Sequence, residues 1–93
     1  MRRAAKVDVN QNEIVTFLRR SGAAVLICSQ LKNAFDILVG YNGRLMMVEI
    51  KDGTKPPSAR KLTDGELKCK ATFNAVNVPY YVVTSVQDAK ALL

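Results

Sequence analysis

The stretch FDILVGYNGRLMMVEIKDG, residues 35–53, decides the fold. Two apolar strands, Phe35–Tyr41 and Arg44–Lys51, flank Asn42-Gly43, the strongest short signal for a two-residue hairpin turn, in which both turn residues take positive φ. Three charges interrupt the strands: Asp36, Glu49 and Lys51. If Tyr41 pairs with Arg44, Asp36 falls directly across from Glu49 on one face of the sheet, with Cβ atoms about 4.5–5.5 Å apart. Lys51, two residues beyond Glu49, projects from the same face. A single inserted residue would break this register.

Two opposed carboxylates among apolar neighbours repel each other and need a cation. Lys51 can serve alone, as an ion-pair cluster at the end of the hairpin. A divalent ion serves better: Mg²⁺ is held by one or two carboxylates, with water and phosphate oxygens completing its octahedron. Asp36 and Glu49 suit that role, and the backbone carbonyl of Ile50 can add a third ligand. Lys51 would then orient or deprotonate a water, or stabilise charge building on a phosphate.

Outward from the hairpin, Asn10–Arg20 predicts a helix with Ile14, Val15, Phe17 and Leu18 on one face. Asn10 and Glu13 stand at capping-box positions. The continuous apolar run AAVLIC, Ala23–Cys28, predicts a buried strand, and Ser29–Asn33 a polar connector. After the hairpin, DGTKPPSARK is a loop of about ten residues, longer than most connections. Thr63 and Glu66 form a second capping-box pair, opening a helix to about Val76. Leu67, Ala71 and Ala75 make one apolar stripe on it; Cys69, Phe73 and Val76 make another nearly opposite. One stripe touches the sheet; the other meets either a partner subunit or the rest of the domain. Pro79 precedes a strand from Tyr80, and Ser85 caps a last helix through Leu93. The order α-β-β-β-α-β-α predicts an α/β domain with a mixed central sheet flanked by helices. Residues 1–93 are expected to form a single domain, with 1–6 a short basic arm.

Composition narrows the chemistry. The 93 residues carry 14 Lys/Arg against 8 Asp/Glu, a net charge of +6 that favours a polyanion such as nucleic acid. No histidine is present, which removes Ser-His-Asp and Cys-His hydrolysis and zinc sites with histidine ligands. Hydrolytic chemistry must therefore run on carboxylates and lysine, with or without a hard metal ion. Cys28 and Cys69 form no CxxC pair, so a reducing, cytoplasmic setting is expected. No apolar run approaches the roughly 18 residues of a membrane span, and the basic start lacks the apolar stretch of a secretory signal.

Asp36, twelve intervening residues and then Glu49-Ile50-Lys51 resembles the PD-(D/E)xK nuclease superfamily. The superfamily's αβββαβ, restriction-endonuclease-like core is the order derived above, with one helix added. Within it, LVGYNGRLMMVEIKDG followed by LTDGELK looks most like the VRR-NUC family in its stand-alone phage and bacterial form. Two positions depart from the pattern: Phe35 stands where the family has proline before the acid, and Glu66 where its helix often has glutamine.

The resemblance implies a Mg²⁺- or Mn²⁺-dependent DNA endonuclease with Asp36, Glu49 and Lys51 as catalytic residues. It implies a homodimer cutting branched DNA such as four-way junctions. It also places a glutamate of the first helix at the metal; Glu13 occupies that place, with the plain capping acid as its other reading. Lys55, Arg60, Lys61 and Lys68 near the hairpin, and Arg3 and Lys6 in the arm, are candidate phosphate contacts; a solvated basic loop is the competing reading. The rival functions are a non-catalytic nucleic-acid-binding domain of the same fold and a small α/β interaction protein.

Overall fold

The computed structural model describes residues 9–93. The basic arm, with Arg3 and Lys6, lies outside the described residues. The element order is α1 (Gln11–Arg20), β1 (Ala24–Ile27), β2 (Ile37–Tyr41), β3 (Arg44–Ile50), α2 (Asp64–Asn74), β4 (Tyr80–Val83) and α3 (Val86–Lys90), with a 3-10 turn at Pro57–Ala59 before α2. The four strands form one mixed sheet in the order β1-β2-β3-β4. The first three are antiparallel, and β4 runs parallel to β3. A parallel neighbour needs a crossover, and the segment carrying α2 provides it.

The hairpin turn is the predicted one. Asn42 and Gly43 adopt φ of 50° and 76°, and pairing runs in register from Tyr41↔Arg44 to Ile37↔Val48. Alternation then sorts the two faces. Ile37 and Val39 of β2 and Met46, Val48 and Ile50 of β3 are buried in a core closed by Ile14, Val15 and Leu18 of α1 and by Ala89 and Leu92 at the end of the chain. Leu45, Met47 and Glu49 occupy the opposite face of β3.

That opposite face is thinly covered, and two expectations change there. The run AAVLIC predicts a buried strand, but β1 is an edge strand: Leu26 on that face is 61% exposed, and Ile27, paired with core-facing Ile37 on the other face, is 49% exposed. Continuous apolar sequence signals burial only where both faces find cover. Neither apolar stripe of α2 is buried either: Leu67, Phe73 and Val76 are all exposed, and the helix has no buried residue.

The caps divide similarly. Thr63 and Glu66 form both bonds of a capping box, and the Ser85 hydroxyl accepts from the Asp88 N–H. Asn10 and Glu13 form no such box, and the Asn10 side chain does not cap α1. It turns inward instead. Its Nδ2 donates to the carbonyl oxygens of Lys51 (3.1 Å) and Thr84 (3.0 Å), fastening α1 to the ends of β3 and β4.

The backbone just past Lys51 is equally confined. A Cβ on Gly53 would lie 2.7 Å from the Thr84 carbonyl oxygen, and main chain cannot yield as a flexible side chain does. Gly53→Ala is therefore expected to destabilise the fold by about 1–3 kcal/mol, read as a lowered denaturation midpoint in urea at unchanged slope.

Candidate active site

The ends of β2 and β3 bring the three charges of the hairpin together, with one correction to the register. The ladder stops at Ile37↔Val48. Asp36 lies one residue outside it and donates its N–H to the carbonyl of Val48 (3.1 Å), the residue already paired with Ile37. Two residues of one strand thus face one of the other, as in a bulge, and regular pairing ends before Asp36 can oppose Glu49. The Asp36 carboxylate is fixed differently: its Oδ2 accepts the N–H of Ile50 at 2.8 Å. A side chain takes the acceptor role that a main-chain carbonyl has in a ladder, and it aims Asp36 at the end of β3.

Glu49 is 5% exposed on the face turned toward α2. Lys51 Nζ lies 3.3 Å from Glu49 Oε2 and 2.9 Å from Oε1 of Glu66. That same Glu66 oxygen accepts the Thr63 N–H at 2.9 Å. The capping box of α2 therefore also anchors the lysine. Glu66 is the site residue that the sequence does not reveal: its spacing from Thr63 marks a helix start, and only the crossover brings that start over Lys51. Asn10 is another, since its hold on the Lys51 carbonyl has no local sequence mark.

Two carboxyls, Glu49 and Glu66, thus flank one ammonium, with Asp36 acting on Glu49, and their protonation follows. Burial, then the charges of Asp36 and Glu66, push the Glu49 carboxyl from the ordinary value near 4.5 up to about 9, with Lys51 pulling the other way. Burial disfavours the charge on Glu66 too, but the Thr63 N–H and Lys51 outweigh it and hold Glu66 below the usual range. Burial likewise opposes the charge on Lys51. The hydrogen bond it donates to Glu66 and the charges of Glu49 and Glu66 prevail, and the ammonium is held above its usual value. These shifts favour the neutral form of Glu49 and the charged forms of Glu66 and Lys51. Tyr80 and Cys69 border this pocket of charge. Burial raises both, Glu49 adds to the effect, and the Tyr80 hydroxyl donates to the Ala34 carbonyl at 2.6 Å.

Among the described residues, no group of three or more His, Cys, Asp or Glu side chains is placed to hold a metal ion. Glu13 does not join the site: it is exposed on α1, beside Asn12, Thr16, Phe17 and Arg20. The donor set at β2 and β3 is accordingly Asp36 and Glu49, two hard carboxylates. Hard carboxylate oxygens are the donors that Mg²⁺ or Mn²⁺ takes, one or two of them with water and phosphate oxygens beside. Of the basic residues named from sequence, Lys55, Lys61 and Lys68 are exposed, on the loop and α2 beyond Lys51. Arg60 is half-buried, its Nε without a hydrogen-bond partner.

No family model and no curated protein matches the chain. Among solved structures, the fold is similar to one described as a VRR_NUC domain. The TM-score is 0.64 at 20% identity, over 91% of this chain and 95% of that one. The likeness establishes the fold: a mixed four-stranded sheet flanked by helices.

Proposed function

We propose that this protein is a metal-dependent endonuclease that hydrolyses phosphodiester bonds in DNA. The observation that carries the reading is the buried Glu49 carboxyl, wedged between Asp36 and Glu66 and raised to about 9 with Lys51 alongside. Such a costly cluster on an otherwise apolar sheet marks a functional site more readily than a structural one. The fold shared with the VRR_NUC domain gives further support.

Asp36 and Glu49 would hold Mg²⁺ or Mn²⁺, with the Ile50 carbonyl as a further candidate ligand. Bound there, the ion would supply Lewis acidity toward a phosphate oxygen and a more acidic water. The protein's own contribution is positional and electrostatic. Asp36 is oriented by the Ile50 N–H, and Glu49 by the rigid end of β3. Lys51 is kept protonated, so its role is to steady negative charge on the phosphate rather than to remove a proton from water. Lys55, Arg60, Lys61 and Lys68 would hold the flanking backbone.

The same reading includes a homodimer acting on branched DNA in the cytoplasm. The exposed apolar side chains Leu26, Leu45, Leu67, Phe73, Val76 and Val82 support a partner copy, and two-fold symmetry would present two sites to a symmetric junction. The free thiols of Cys28 and Cys69 suit a reducing compartment.

The test is a cleavage assay with Mg²⁺, and separately Mn²⁺, on duplex, flap, splayed-arm and four-way-junction DNA, with light scattering for the oligomeric state. Cutting of the branched substrates is expected. Binding without cutting by either ion would leave a non-catalytic nucleic-acid-binding domain.

A further inference from the structure

We propose that Glu66 is a positioning residue for Lys51, fixing where its ammonium stands relative to Asp36 and Glu49. This role rests on the nuclease reading; the contacts that suggest it do not. Lys51 has two acidic neighbours, and the nearer is Glu66, at 2.9 Å against 3.3 Å for Glu49. Glu66 is also the better fixed for the task. Its Oε1 is pinned by the Thr63 N–H, while its own N–H is held at 3.2 Å by the Thr63 hydroxyl. Both ends of the residue are therefore tied to one helix turn.

That turn is itself seated. Gly65, next to Glu66, abuts Asn33 so closely that any Cβ would collide with the asparagine side chain. Asn33 in turn adopts a left-handed φ of 58°, a conformation that asparagine tolerates better than most residues. The connector before β2 and the start of α2 thus lock together beside the site. Lys51 is held at both its ends, its carbonyl by Asn10 and its ammonium by Glu66. A long, flexible side chain has its reach set in this way. If Asp36 and Glu49 are engaged by a cation, Glu66 is the acid that remains to hold the lysine.

The experiment compares wild type with Glu66→Gln and Glu66→Asp. Glutamine keeps an acceptor for the Thr63 N–H but loses the charge; aspartate keeps the charge but draws the oxygen back by one methylene. Nitrogen relaxation of the Lys51 ammonium, measured on metal-free protein, is expected to report an ordered group in wild type and a mobile one in both variants. In cleavage, kcat is expected to fall about tenfold with KM for DNA unchanged, because a misplaced catalytic group slows the reaction without weakening binding. An equally ordered Lys51 in either folded variant overturns the proposal, as does an unchanged kcat alongside a mobile Lys51. Should wild type cleave no DNA, the nuclease reading fails, while the ammonium measurement still decides whether Glu66 fixes Lys51.

Discussion

Glu49→Gln is expected to abolish cleavage while making the metal-free protein more resistant to heat at pH 8. The two effects share one cause. In the unfolded chain the Glu49 carboxyl ionises near pH 4.5; in the folded protein it keeps its proton up to about 9. A group raised by folding contributes stability that is fully present below the unfolded value and is lost as pH rises through the folded one. Between about pH 5 and pH 9 the unfolded state thus releases a proton that the folded state retains, and stability falls by at most ~1.4 kcal/mol per pH unit. Glutamine is neutral throughout and nearly the same shape, so it removes this drift along with the ionisable oxygen. Thermal melts in chelator across that window check it. The wild-type curve should slope downward relative to the variant, with the gap widest near pH 9; parallel curves would mean that Glu49 does not hold the proton.

Lys51→Ala is expected to reduce cleavage by roughly 10²–10³, the usual loss when one preorganised stabiliser of developing charge is removed. DNA binding, measured in Ca²⁺, should change little, because many phosphate contacts share that task. Unlike Glu49→Gln, this variant should also melt lower. It strips the cation from its two acidic neighbours, Glu49 and Glu66, and removing one partner of a part-buried pair leaves the other uncompensated. Lys51→Arg should recover the melting temperature more fully than the activity, since a planar guanidinium cannot take the place of a compact ammonium between Glu49 and Glu66. A Lys51→Ala protein that cleaves at the wild-type rate would remove the lysine from the mechanism.

Much of this architecture is legible in the sequence where local chemistry decides. Asn42-Gly43 fixes a register that holds for five successive pairs, and Thr63 and Ser85 start their helices as their spacing predicts. The failures begin where distant parts of the chain compete. Asn10 looks like a helix cap because asparagine suits that task, but two carbonyls far along the chain offer its amide a better use. Asp36 leaves the ladder where its carboxylate accepts the Ile50 N–H, a bond that no register arithmetic includes. AAVLIC is apolar enough for an interior strand, yet edge or centre is a property of the whole sheet. Glu66 carries two roles at once, and its spacing from Thr63 discloses one of them.

The bareness of α2 has a consequence for how the site fails. Local stability in a protein follows burial, and elements with few buried contacts open before the body of the fold does. The core of α1, α3 and the sheet draws no buried side chain from α2. The acid that holds Lys51 nevertheless sits in the first turn of that helix. Release of that one turn from its capping box and from Asn33 is therefore expected to unlatch the lysine while the core remains native. The hold on Lys51 is then expected to be lost by a partial opening, at less cost than unfolding the whole chain.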